Sequence, residues 1–277
     1  MKRTVLFWIL AFVVTVASAV YQRVTGPTYP LTGRVQVGGV SVPYRLLRSQ
    51  GGSEDAPVGI AVSDQRVSGA VEWRRYKTAD PWNTVQMQRV GDSLLARLPW
   101  QPPAGKLEYR IQLTKDTENV VLPEEGGVVI RYKGDVPAGI LVVHVIAMFG
   151  AMLLSTRTGL EYFNPTPRMK TLIYWTIGFL AFGGLVMGPI VQKYAFDAYW
   201  TGWPFGTDLT DNKTFLALVG WLAAAVALHR ARNPQRWALG AAIFLIVVYM
   251  IPHSVLGSEL DYGRTEGQSP RTTESPE

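Results

Sequence analysis

The sequence predicts a mixed, multi-domain membrane protein, an extracytoplasmic all-β sandwich joined to an α-helical transmembrane bundle. Three observations carry this. Hydrophobic residues make up 48% of the 277 positions and charged ones only 17%, with nine tryptophans, a profile that leans away from an ordinary soluble domain. Five apolar stretches, Thr4–Tyr21, Val136–Ser155, Thr171–Val191, Phe215–His229 and Trp237–Val255, approach the ~20 residues that cross a hydrocarbon core as a helix. Between the first two lies a segment of about a hundred residues whose apolar positions alternate with a period of two, the spacing of half-buried strands.

Residues 1–21 form either an N-terminal anchor or a cleaved signal peptide. Lys2-Arg3, the apolar run to Val16 and the small triplet Ala17-Ser18-Ala19 fit the signal, whereas the near-spanning length fits the anchor. The four later stretches give a transmembrane bundle over 136–256, followed by a disordered tail over 257–277. Orientation follows from the cations. Lys2, Arg3, Arg157, Arg168, Lys170, Arg230, Arg232 and Arg236 flank the apolar segments on one side, with Glu161 as their one acid. The expected arrangement in a bacterial cytoplasmic membrane therefore has the N-terminus inside and the sandwich and C-terminus outside. The pI near 9.5 is then a topology signal, and no nucleic-acid partner is expected, because no basic run with interleaved aromatics faces one compartment. With no cysteine, disulfides and thiolate metal sites are excluded.

Within the outer domain, 27–133, Leu107, Tyr109, Ile111 and Leu113 share one strand face, and Val71 with Trp73 another. Gly38-Gly39 between Val35–Val37 and Val40–Val42 marks a hairpin, and eight or nine strands are expected in all. The stretch PWQPPAGKLEYRIQL resembles the proline-containing crossover and tyrosine-bearing strand of fibronectin type III and other immunoglobulin-like modules. That resemblance implies a sandwich fold and no particular chemistry. Tyr76, Trp82 and Trp100 are expected to pack at strand edges or in the core.

In the bundle, Gly184 with Gly188 and Gly220 with Ala224 allow close helix approach. His144 lies in the uncharged run GILVVHVIAMFGAMLL and His253 in YMIPHSVLGSE, at similar expected depth. Two such imidazoles are the minimum for a membrane haem b; the alternatives are structural hydrogen bonds or a proton or quinone site. Met148 and Met152 continue the His144 face, which suits either packing or copper(I). His229 is expected to be structural, at the inner end of its helix.

The loop 192–214, QKYAFDAYWTGWPFGTDLTDNKT, places Tyr199, Trp200, Trp203 and Phe205 at the outer interface as a non-helical cap, with Asp211 or Asn212 capping the next helix. Asp208, Asp211, Glu259 and Asp261 form a candidate divalent-cation set, against which stand ion pairs of the outer carboxylates with Lys193, Lys213 or Arg264. Mid-membrane acids, inverted repeats and hydrolytic motifs are missing, which disfavours transporters and hydrolases. Two functions are expected to compete: a non-catalytic interaction or assembly subunit, whose partners are the lipid bilayer and another membrane or exported protein, and an electron-transfer subunit using His144 and His253.

Overall fold

The computed structural model describes residues 2–252 and 259–263. The chain divides into two compact units, a helical one from residues 1–29 and 134–258 and a β unit from residues 30–133 and 259–277.

The β unit has eleven strands: β1 (Leu31–Val37), β2 (Val40–Leu46), β3 (Ser49–Gly51), β4 (Ala56–Ala61), β5 (Val67–Arg75), β6 (Asn83–Gln86), β7 (Gln88–Val90), β8 (Ser93–Leu98), β9 (Lys106–Lys115), β10 (Glu118–Leu122) and β11 (Val128–Lys133). A large sheet runs β3-β11-β9-β5-β6, with β10 also on β9; β4-β8-β7 and β1-β2 form the others. The alternation in β9 is complete. Leu107, Tyr109, Ile111 and Leu113 are all buried and meet Val58, Ile60, Leu94 and Leu98 from the smaller sheet in one core. Tyr109 also donates its hydroxyl to the Leu47 carbonyl at 2.8 Å, so the largest ring of β9 enters the core without an unsatisfied polar atom.

Among the described residues the eleven strands exceed the expected eight or nine, through the short β3 and through residues 84–89, whose alternation reads as one strand but which divide into two. β6 pairs with β5, whereas β7 pairs with β8 in the other sheet. Between them Met87 turns into the core, and its amide donates to Gly69 O at 2.8 Å. Such switches let one chain serve both layers of a sandwich. At the β1–β2 turn, Gly38 and Gly39 have φ of 52° and 74°, the positive values that a two-residue hairpin turn needs.

The helical unit contains α1 (Lys2–Thr25), α2 (Ala138–Leu160), α3 (Met169–Leu180), α4 (Gly188–Phe196), α5 (Leu209–Arg230) and α6 (Pro234–Met250). A π-helical turn, Ala181–Met187, joins α3 to α4, making one 28-residue helical run. Four helical runs are long and apolar enough to cross a membrane: Arg3–Thr25, Ala138–Phe163, Met169–Phe196 and Leu209–Arg230. The fifth expected crossing, Trp237–Val255, is shortened to the 17 residues of α6, about 26 Å at 1.5 Å per residue. Its end at Met250 follows from Pro252, which disfavours helical backbone at the residue before it; Ile251 is extended, with ψ of 115°.

The two ends of this unit differ in chemistry. At one end the last turns of α1 and α6 meet the middle of α2 and the start of α5: Gln22 Nε2 donates to Tyr249 O at 2.7 Å, Tyr249 Oη to Met148 O at 3.0 Å and Lys213 Nζ to Ile251 O at 2.6 Å. At the other, the Arg157 guanidinium stacks on Phe7 and Trp8, and His229 pairs with the Tyr174 hydroxyl at 3.2 Å, the structural role expected of it.

Candidate functional site

The loop between α4 and α5 is held by three side chains at the start of α5 together with backbone bonds of its own, Phe205 N and Gly206 N to Gly202 O and Asp208 N to Thr201 O. Asp208 is the N-cap, accepting from Thr210 N at 2.8 Å. This corrects the expectation that Asp211 or Asn212 caps the helix, which starts earlier than its apolar run. Asp211 instead reaches back across the loop: its Oδ2 accepts from Thr201 N at 2.7 Å, Gly202 N at 3.0 Å and Gln192 Nε2 at 3.2 Å. Asn212 Oδ1 accepts from Trp203 N at 2.6 Å. The approach is so close at Gly202 that a Cβ there would lie 2.5 Å from Asp211 Cβ, so glycine is required.

Side-chain and backbone bonds together fix this loop, and its rings face outward. Tyr199, Trp203 and Phe205 are 61%, 67% and 84% exposed, while Trp200 is half-buried and donates to Trp203 O at 3.1 Å. Asp197 ends α4 in the left-handed conformation and pairs with Lys193 at 2.6 Å, the ion pair expected for it.

Beneath this cap His144 lies beside the π-turn. Its Nδ1 donates to Gly183 O at 3.0 Å, a carbonyl that also receives the Gly188 amide. A π-turn displaces the regular bonding pattern and often marks a functional position in a helix. The hydrogen bond fixes the tautomer and leaves Nε2 as an acceptor. His144 shares a cavity of about 200 Å³ with Gln22, Met148, Met152, Lys213 and Tyr249, among others.

The haem expectation was tested against this geometry. The cavity is smaller than the ~300–1,000 Å³ of pockets that hold drug-sized ligands. His253, the second expected imidazole, lies outside the described residues. The observed bond to Gly183 is the structural alternative. Met148 and Met152 both line the cavity, but Tyr249 and Gly183 pack against Met148, as core methionines do.

The four candidate metal carboxylates do not gather either. Asp208 and Asp211 lie in the helical unit, both near Thr201 Oγ1, at 3.3 and 3.4 Å. Glu259 and Asp261 belong to the β unit. Among the described residues no group of three or more histidine, aspartate or glutamate side chains could hold a metal.

Glu259 has a different role. It pairs with Lys106 at 2.5 Å and Lys77 at 2.8 Å, Leu260 N donates to Ala104 O at 3.2 Å, and Tyr262 Oη accepts from Lys106 N at 2.9 Å beneath the Arg75 guanidinium. Residues 259–263 are thereby clipped to the sandwich, where the sequence alone suggested a free tail. Burial by itself would raise the Glu259 carboxyl, but the two ammonium groups outweigh it and hold it below the ordinary carboxylate range. A depressed carboxyl contributes stability above its unfolded value, ~4.3, and loses it as pH falls through the folded value. Amide exchange at Leu260 and Lys106 should accordingly be protected at pH 7 and lose that protection below about pH 4, with Glu259→Gln unprotected at both. Unchanged protection in acid would mean that the ion pairs do not hold the clip.

Sequence reasoning noticed Lys213 only as a counter-charge for nearby acids and missed Gln22 altogether. The signal for Lys213 was present, since it opens a long uncharged run in which a lone cation calls for a partner. In comparisons with known protein families and with curated proteins, nothing matches this chain.

Proposed function

We propose that the protein is a membrane-embedded, non-catalytic assembly subunit whose aromatic cap docks another membrane protein. The observation that carries this reading is the cap. Asp208, Asp211 and Asn212 fix the backbone of a loop whose Tyr199, Trp203 and Phe205 remain exposed. Apolar rings on a prearranged backbone lose little entropy on docking, and aromatic residues dominate the energetics of such contacts. The electron-transfer alternative has less support, because His144 is committed to a backbone carbonyl and the cavity beside it is small.

The same reading includes five crossings, with the N-terminus in the cytoplasm and the sandwich and C-terminus outside. Eight cations flank the inner ends of the helices by sequence. The clip of residues 259–263 on the sandwich supports it too, as the chain leaving α6 returns to the domain inserted between α1 and α2.

A photo-crosslinking amino acid in place of Phe205, in cells carrying the full chain, tests the docking role. We expect one protein adduct of defined mass, lost when Trp203→Ala is added. Adducts to lipid alone would reassign the cap to bilayer anchoring and remove the assembly reading.

A further inference from the structure

We propose that the cavity beside Lys213 is a binding site for an amphipathic anion, an acidic lipid whose headgroup carries both a phosphate and a hydroxyl. This rests on the helical unit lying in a bilayer and is independent of the docking role of the cap.

The first observation is an uncompensated cation. Lys213 is 5% exposed on the second turn of α5, and its ammonium donates to Ile251 O. An ammonium has three donors, so two are left over. No carboxylate among the described residues forms an ion pair with it. Asp208, the acid whose field reaches it, is occupied as the α5 N-cap. The stretch after Pro252, HSVLGS, brings no acid by sequence. A buried charge whose nearest carboxylate is committed to a helix cap is costly, and an anionic ligand offers it a direct partner.

The second observation is the inventory of the remaining wall. Thr15 Oγ1 donates to Ala11 O, Thr214 Oγ1 to Thr210 O, Tyr249 Oη to Met148 O and Gln22 Nε2 to Tyr249 O. With Nδ1 of His144 given to Gly183, its Nε2 is an acceptor, and so is Gln22 Oε1. Among the described residues, the unspent groups are therefore donors on one cation and two neutral acceptors. A phosphate oxygen answers the first and a headgroup hydroxyl the second. Ala19, Val145, Phe149 and Val248 complete the lining, an apolar surface suited to the first carbons of an acyl chain. At about 200 Å³ the cavity holds a headgroup and not a whole lipid.

The test uses the full chain purified in a neutral detergent, titrated with phosphatidylglycerol, phosphatidylcholine or inorganic phosphate and followed by melting temperature and native mass spectrometry. Phosphatidylglycerol should raise the melting temperature and give one bound lipid, whereas phosphatidylcholine should do neither, since ligands stabilise only the state they bind. Lys213→Met should weaken phosphatidylglycerol binding by about tenfold or more, the loss of a charge-assisted hydrogen bond. Val145→Phe, which fills the cavity and keeps every polar group, should abolish the bound lipid, and it serves if Lys213→Met fails to fold. Stabilisation by inorganic phosphate equal to that by the lipid would keep the anion site and make its ligand a soluble phosphate. Equal effects of both lipids, or full phosphatidylglycerol binding by both variants, would overturn the proposal.

Discussion

Glu161→Ala should destabilise the helical unit by about 3–5 kcal/mol, because it strands a buried guanidinium. Arg157 and Glu161 are 5% and 1% exposed and pair at 2.5 Å one turn apart. The second carboxylate oxygen of Glu161 accepts from Arg168 N at 2.8 Å and Asn164 Nδ2 at 2.9 Å, so one side chain pairs with Nη2 of the cation and folds the connection into α3, while Arg157 Nε and Nη1 find no hydrogen-bond partner among the described residues. The guanidinium is further packed over Phe7 and Trp8 at 5.4 and 5.5 Å. That stacking leaves its charge uncompensated once the carboxylate is gone. Glu161→Gln should cost less, since an amide oxygen still accepts from the backbone. Arg157→Met with Glu161→Leu should cost less than Glu161→Ala alone, because no unpaired charge remains. Denaturant titration in detergent, followed by tryptophan fluorescence, reads all three variants. A double variant as unstable as Glu161→Ala would show that packing and not charge sets the loss.

Asp211→Ala should release the aromatic cap. Four donors, two of them backbone amides, converge on one carboxylate oxygen, and hydrogen bonds to a charged group contribute about 1.5–3 kcal/mol each. Losing them together should exceed about 3 kcal/mol locally. Because Asp208 still caps α5, the helix itself should persist. The expected result is rapid proteolytic cleavage between residues 198 and 207, with helical circular dichroism unchanged. Asp211→Asn, which retains an acceptor oxygen, should fall between the parent and Asp211→Ala. A cap equally resistant in all three would mean that Asn212 and the ring contact of Trp203 with Phe215, at 6.2 Å, suffice to hold it.

Much of the architecture was legible before any coordinates. Apolar length marked the helices, and a period of two marked β9, whose inward residues are those the alternation named. Gly38-Gly39 marked its hairpin, and Gly202 with Pro204 marked a loop where apolar content alone would have suggested helix. These are local properties, set by backbone geometry and by which face of an element avoids water. The end of α6 at Met250 was equally local, since Pro252 states it.

What only the tertiary structure decided is which element covers which face. Periodicity shows that Met87 is flanked by strands, but not that they belong to different sheets. The reach of Asp211 to residues ten positions earlier depends on the path of the loop, and the clip at Glu259 depends on a lysine more than 150 residues away. Lys213 is the clearest case. Its sequence neighbours offer Asp208 and Asp211 as partners, yet the fold commits one to a helix cap and the other to the loop, and leaves the ammonium facing a carbonyl and a cavity. Local sequence fixes which groups carry charge and which segments avoid water. Their pairing is a competition among all groups within hydrogen-bond reach, which exists only once the chain has folded.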